Sequence, residues 1–331
     1  MIYFIEMNSI SLFLIGLLLF SCNSHKKETN MNTKIVIAHR GASGYLPEHT
    51  MEAKAMAYAM TPHFIEQDLV LSKDNVPIVI HDIYLDDVTD VAVKFADRKR
   101  KDNRFYVIDF TFDELQMLKV TERFNHETGE QFYPNRYPKG KGNFKLHSFE
   151  EEIELIQGLN KATGKDIGIY PEIKDPAFHQ KEGRKITEVV LEILADYGYK
   201  TKKDNCILQC FDAAELERIR VVLKSDLFLV QLMEFEEETK QLAHFATYAD
   251  GVGPWYKQIL DKKVGEKWQF TTLVSDAHKL GLKVHPYTFR ADSLDEFTTF
   301  DKMMETLLIE ADIDGAFTDF PDLVVNFLKE K

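Results

Sequence analysis

Cysteine is scarce in this chain: three residues in 331 cannot build a disulfide framework. Two of them, Cys206 and Cys210 in "CILQC", would sit roughly 13 Å apart along one strand face. That is beyond disulfide reach, so they read as small core residues. Net positive charge is missing as well. Forty-one Lys and Arg face 54 Asp and Glu, a formal charge of −13, which argues against nucleic acid or an anionic membrane surface as partner. There is no internal repeat, and no apolar run of the about 20 residues that cross a membrane comfortably. What remains is a globular composition, 44% hydrophobic and 29% charged, long enough for one large domain or two ordinary ones. An acidic protein that binds an anionic phosphate needs local positive charge, most simply a metal ion.

The first residues read as a leader rather than as part of the fold. Residues 10–20, "ISLFLIGLLLF", have signal-peptide length. They meet small residues and then Cys22 in "LFSC", followed by the polar "NSHKKETN", a pattern that resembles a bacterial lipobox. The expectation is a signal peptide over 1–21 and a tether over 22–33, lipidated at Cys22. The protein would then be exported, either periplasmic or anchored to the outer membrane of a bacterium. Residues 1–9 contain Glu6 and neither Lys nor Arg, so Met7 is an alternative start, and a plain secretory signal is the competing reading.

From residue 34 onward, apolar runs rich in β-formers alternate with helical stretches. Strands are expected at 34–38, 64–71, 77–80, 167–173, 206–211, 227–232, 251–253, 283–289 and 314–318. Helices are expected at 50–60, 148–159, 185–197, 213–223, 271–280, 294–308 and 322–328. The second of these opens on "SFEE", a capping-box pattern. Nearly continuous apolar strands separated by helices argue for a parallel sheet covered on both faces. Nine candidates are one more than a (β/α)8 barrel needs. The turn around "SKDN" joins 64–71 to 77–80 and is too short for a parallel crossover, so the second run is an antiparallel hairpin partner or an extension of the same element. Residues 84–146 are rich in charge, Pro, Gly and Asn, with one helical patch at 111–120. They read as a small subdomain inserted into a barrel made of 34–83 and 147–331. The basic run "KFADRKRKDNR" within it reads as a solvated loop, with lipid headgroups as the alternative contact.

The stretch "IVIAHRGASGYLPEHT" ends a β-run abruptly in His39-Arg40-Gly41, which a phosphate bound at that strand end would explain. In "FIEQDLVL", Glu66 and Asp68 are two apart and share one strand face; in "IGIYPEIKD", Glu172 and Lys174 do the same. Carboxylates in apolar strands are costly unless paired or metal-bound. Three of them with no thiolate describe an oxygen site for Ca²⁺ or Mg²⁺, and structural Glu–Lys or Asp–Arg pairs are the plainer alternative. "PIVIHD" delivers His81 at the end of another β-run. Two imidazoles, an arginine and three acids at strand termini fit a barrel whose active site gathers at the C-terminal face. His285 in "VHPYTFR" also ends a strand and could line the pocket, whereas His49 reads as a capping or packing residue. The chemistry that uses such a set is phosphodiester hydrolysis. A cation and Arg40 would neutralise the phosphoryl oxygens. One imidazole would take a proton from the attacking oxygen and the other would protonate the departing alkoxide.

Taken together, "AHRGASGYLPEHT", "EQDLVLSKDNVPIVIHD", "YPEIKD", "LQCFD", "DGVGP", "HPYTFR" and "GAFTDFPD" resemble the bacterial glycerophosphodiester phosphodiesterases, the periplasmic enzymes above all. The resemblance runs in order from about residue 34 to the C-terminus. It implies a (β/α)8 TIM barrel with a small insertion after the HD strand. The implied reaction turns deacylated phospholipids, such as glycerophosphocholine and glycerophosphoethanolamine, into sn-glycerol 3-phosphate and an alcohol. His39 and His81 match the catalytic histidines of the family, Arg40 its phosphate contact and Lys174 a residue beside the phosphate. Glu66, Asp68 and Glu172 match its metal ligands, usually to Ca²⁺, with Mg²⁺ in other branches. Gln209, Phe211, Trp255 and Phe289 are expected to shape the glycerol pocket. Attack by water and attack by the substrate's own hydroxyl both remain open. Two further readings stand beside this one. A phospholipase of the sphingomyelinase D type shares barrel and histidines but needs an apolar lip, and a surface lipoprotein could use the barrel as an inert binding scaffold.

Overall fold

The computed structural model describes residues 34–331; the leader, the tether and the lipidation expected at Cys22 lie outside the described residues. Eleven strands form: β1 Ile35–Ala38, β2 Phe64–Leu71, β3 Pro77–Val79, β4 Gly168–Ile173, β5 Ile207–Cys210, β6 Phe228–Met233, β7 Gly251–Pro254, β8 Leu260–Val264, β9 Lys267–Phe270, β10 Lys283–Val284 and β11 Gly315–Thr318. Eight of them are parallel neighbours in the order β10-β7-β6-β5-β4-β2-β1-β11. The ends of that path meet. Asp314 N–H donates to Val284 O at 3.0 Å, Phe317 N–H to Pro286 O at 3.1 Å and Phe289 N–H to Phe317 O at 2.8 Å. The result is the expected eight-stranded barrel, with β3 antiparallel to β2 as the short turn requires.

Two separate apolar layers account for the unbroken hydrophobicity of the strands. Val36, Ile65, Leu69, Ile169, Leu208, Leu229 and Val252 pack in the large outer core, which also takes up Cys206 and Cys210. Ile37, Tyr170, Ile207, Val230 and Phe317, one step out of phase, fill the barrel interior. Both cysteines are free and buried, as expected of core residues. The capping box of the helix Phe149–Thr163 forms: Ser148 Oγ accepts from Glu151 N–H at 3.2 Å, and Glu151 Oε2 accepts from Ser148 N–H at 2.8 Å.

Residues 84–146 contain the helix Phe112–Met117 and a second apolar cluster. That cluster joins Leu85, Phe105, Phe110, Leu115 and Phe144 to Val70, Ile78 and Ile80 of the β2–β3 hairpin, so the segment rests on the barrel through shared core. The arginines of its basic run are paired with acids of the segment and, at Glu182, of the barrel. Arg98 bonds Glu114, Arg100 bonds Asp109 and Glu182, and Arg104 bonds Asp86 while lying 3.8 Å over the ring of Tyr84. Two expected helices are shorter than expected. The patch at 111–120 stops at Met117, and the stretch at 294–308 begins only at Phe300, where Thr299 Oγ1 accepts from Lys302 N–H at 3.1 Å. Asp295 is itself left-handed, φ +47°, so no helix can run through it and the chain turns before Thr299 caps the one that forms. The β8–β9 hairpin turns at Gly265, φ +63°, and no strand was expected there. Among the described residues no helix is long and apolar enough to cross a membrane.

Candidate active site

The parallel strands end on one cavity of about 190 Å³. His39 and Arg40 follow β1, His81 follows the β3 run, and Trp255 and Arg290 come from the turns beyond β7 and β10. Glu66 and Asp68 project from β2, Glu172 and Lys174 from the end of β4, Gln209 and Phe211 from the end of β5. Register explains the acids: Asp68 is the cross-strand neighbour of Glu172, and Glu66 shares the face of Asp68. The backbone at Arg40 is left-handed, φ +56°, and aims its N–H at Glu66 Oε2, 2.6 Å away. Gly41 follows at φ +91°, where a Cβ would lie 2.9 Å from the backbone of Ala53, so this turn requires glycine.

Each imidazole is oriented through Nδ1. His39 Nδ1 lies 2.6 Å from Asp319 Oδ1, and His81 Nδ1 lies 2.7 Å from Asp82 Oδ1. With Nδ1 engaged, Nε2 is the nitrogen each ring offers to the cavity. Burial, and then the charge of Arg40, push the His39 pKa down to about 4 against the pull of Asp319; burial lowers His81 as well. Both rings are therefore neutral near pH 7. Arg40 Nη1 donates to both oxygens of Glu48 at 3.1 and 3.0 Å, while its Nε, 3.5 Å from Asp68 Oδ2, is buried without a hydrogen-bond partner.

The three carboxylates crowd one another. Burial first, and then the charge of Asp68, raise Glu66 well above the usual carboxylate range. Burial pushes Glu172 up to about 8 even though Lys174 Nζ is only 2.7 Å from its Oε1. Burial would raise Asp68 too, but Lys174, helped by the hydrogen bond with His49, outweighs it and holds that group low. Asp68 Oδ1 is buried with no hydrogen bond, and Gln209 Oε1, on the cross-strand neighbour of Glu172, is equally unpartnered. Orphaned oxygens among mutually repelling carboxylates suit a hard cation. Among the described residues, the group whose donor atoms all lie within 4.8 Å of one another is His49, Glu66 and Asp68 rather than the three expected carboxylates. His49 Nε2, however, is already bonded to Asp68 Oδ2 at 2.7 Å, and Glu172 turns toward Lys174.

Comparison with known proteins bears on this geometry. The model of the glycerophosphoryl diester phosphodiesterase family matches residues 39–323. The chain belongs to that family. It is 45% identical to the glycerophosphodiester phosphodiesterase of Haemophilus influenzae, over 97% of this chain and 98% of the relative. It is 38% identical to that of Treponema pallidum, over 89% and 92%. Among solved structures, an Oleispira antarctica phosphodiesterase in complex with its product sn-glycerol 3-phosphate superimposes with a TM-score of 0.62 at 18% identity, covering 90% of this chain and 97% of that one. The Agrobacterium tumefaciens glycerophosphodiester phosphodiesterase does so at 0.58 and 19%, covering 89% and 99%.

Not every residue expected at the site of this phosphodiesterase is there. Phe289 is fully buried in the outer core, its ring 6.2 Å from that of Tyr256, while its neighbours Thr288 and Arg290 line the cavity. Alternation along the strand decides this, and Phe289 lies on the wrong phase. His285 is buried and bonds Tyr170 Oη at 3.0 Å instead of lining the cavity. Conversely, His49, Glu48, Asp319, Tyr287 and Arg290 belong to the site region without having been singled out for it. The available signal for Asp319 was its place directly after an apolar strand in "GAFTDFPD", the same signal that marked His39 and His81.

Proposed function

We propose that this phosphodiesterase hydrolyses glycerophosphodiesters with cationic headgroups, glycerophosphocholine and glycerophosphoethanolamine, in a metal-dependent reaction. The observation that carries the reading is one cavity lined by His39, Arg40, Glu66, Asp68, His81 and Glu172, with both imidazoles tied through Nδ1 to carboxylates. Glu66, Asp68 and Glu172 would hold the cation, Ca²⁺ in the first instance. When bound, it supplies positive charge to the phosphoryl oxygens. Arg40 adds a guanidinium whose Nε has no other partner, and Lys174 stands beside it as a second cation.

His39, neutral and fixed by Asp319, is placed to accept the proton of the attacking oxygen at Nε2. His81 lines both this cavity and an adjoining one of about 560 Å³, where the departing alcohol would sit. The arriving phosphodiester anion would favour the protonated ring there, so His81 is assigned the proton donated to the alkoxide. Asp175, Asp212 and Glu234 line the adjoining cavity with the rings of Phe211 and Tyr287, an acidic and aromatic surface suited to a quaternary or primary ammonium.

The test is incubation of purified protein with glycerophosphocholine and Ca²⁺, with and without EDTA, followed by assay of sn-glycerol 3-phosphate. Release abolished by EDTA is expected. Turnover of sphingomyelin alone would replace this reading with the phospholipase, and binding without turnover would leave the scaffold. The leader and Cys22 add an exported, lipid-anchored location to the proposal; labelled palmitate should enter the wild-type chain and not C22S.

A further inference from the structure

Two arginines of the 84–146 segment reach the partners of both catalytic imidazoles without touching the cavity themselves. Arg123 donates through Nη1 to Asp82 Oδ2 at 2.6 Å, and the other oxygen of Asp82 holds His81 Nδ1 at 2.7 Å. The same guanidinium donates through Nε and Nη2 to Glu48 at 3.0 and 2.7 Å, and Glu48 in turn holds Arg40. Arg136 donates through Nη2 to Asp319 Oδ2 at 2.7 Å, and the other oxygen of Asp319 holds His39 Nδ1 at 2.6 Å. Arg136 is itself fixed by Asp292 at 2.8 and 3.0 Å and lies 3.6 Å over the ring of Tyr133. Neither arginine lines the catalytic cavity.

We propose that Arg123 and Arg136 are positioning residues through which the inserted segment sets the orientation of His81, Arg40 and His39. The physical reason lies in the geometry of the guanidinium. A planar fork with three donors in use can lock a carboxylate in one plane, and a carboxylate so locked presents one oxygen to its imidazole in one direction. The two chains of contacts are parallel in design: insert arginine, acid at the end of a barrel strand, Nδ1, and Nε2 toward the substrate. Simple docking of the insert would not need this, because the apolar cluster shared with the β2–β3 hairpin already attaches it. The kinetic part of the test rests on the hydrolytic activity proposed above.

The experiment compares R123M, R123K and R136M in the full chain with saturating Ca²⁺ and glycerophosphocholine. Expected are kcat values about 10–100-fold below wild type with KM within about threefold, and partial recovery in R123K, which keeps the charge on a single donor nitrogen but not the planar fork. In a cycle with D82N, the double variant R123M/D82N should lose less than the product of the two single losses, since the part that acts through His81 is shared and only the part that acts through Glu48 and Arg40 adds. A kcat within about twofold of wild type, a loss carried by KM, or effects that multiply in the double variant would overturn the proposal. The second arm needs no substrate. The downfield Nδ1–H proton resonance of His81 should shift or vanish in R123M or R123K, and that of His39 in R136M; unchanged resonances in folded variants overturn the proposal. Absence of turnover by the wild type would sink the hydrolytic reading alone, because the resonances still decide the role of the arginines.

Discussion

Asp319 holds Nδ1 of His39 at 2.6 Å from a position 280 residues further along the chain. The contact ties together two strand ends at the C-terminal face of the barrel, because β1 and β11 that deliver the two groups are parallel neighbours. Asp319 is kept ionised by its surroundings. Burial would raise it, but Arg290, His39 and Arg136 outweigh that and hold it well below the usual carboxylate range.

D319N should therefore lower kcat by about 10²–10³-fold, and H39A and H81A should each lower it by about 10²–10⁴-fold, measured by steady-state kinetics. The pH profile gives a further sign. His39 accepts a proton only while unprotonated, so the acid limb of kcat/KM follows its lowered pKa. Asp319 raises that pKa; removing its charge in D319N should move the acid limb to lower pH. A move to higher pH would contradict the assignment of His39 as base.

The pair Lys54–Glu152 sets a stability prediction. Lys54 Nζ is 3.0 Å from Glu152 Oε1, and both side chains are fully buried between the helices Met51–Met60 and Phe149–Thr163. Lys54 also donates to the carbonyl of Glu66, so the pair braces the strand that carries the acids. Burial opposes ionisation of Glu152, but Lys54 and His147 overcome it and bring its pKa down to about 2. K54M leaves that charge uncompensated and should cost about 3–5 kcal/mol in urea denaturation, with K54M/E152Q regaining part of the loss. A K54M variant as stable as wild type would remove the argument.

Glu122 supplies the opposite sign. It is buried on the insert, its Oε2 has no partner, and burial together with Glu48 pushes its pKa up to about 8. A carboxyl that ionises at lower pH in the unfolded chain than in the folded one makes folding less favourable as pH rises. That loss starts near the ordinary carboxylate range and is complete above about 8. E122Q cannot ionise. It should raise stability relative to wild type at pH 8.5 and much less at pH 5, read as denaturation midpoints at both values. Equal effects at the two pH values would show that Glu122 is already ionised in the folded chain.

Strand alternation and strand ends carried most of what the sequence could tell. The barrel followed from apolar runs separated by helices, and Glu66, Asp68, His81 and Glu172 were visible because charge at the end of an apolar run is costly without a purpose. Phe289 was misplaced by one step of the strand period, which apolarity alone does not reveal. His49, Glu48 and Asp319 act through partners 8 to 280 positions away, and no local period encodes such a pairing. The β8–β9 hairpin escaped because its strands are mostly exposed, so burial leaves no pattern in them. The segment 84–146 offered turn residues and charge, and only the structure reveals that two of its arginines end beside the carboxylate partners of His81 and His39.

The central claim is that Glu66, Asp68 and Glu172 share one cation beside the two imidazoles. Calorimetric titration of Ca²⁺ into the wild type and into E172Q tests it most directly. One ion per wild-type chain is expected, with binding about 10–100-fold weaker in E172Q. Because burial raises Glu66 and brings Glu172 to about 8, binding at pH 7 should also release protons, seen as a dependence of the heat on buffer ionisation enthalpy. Wild-type affinity retained in E172Q would assign the ion to the His49, Glu66 and Asp68 trio and contradict the carboxylate site.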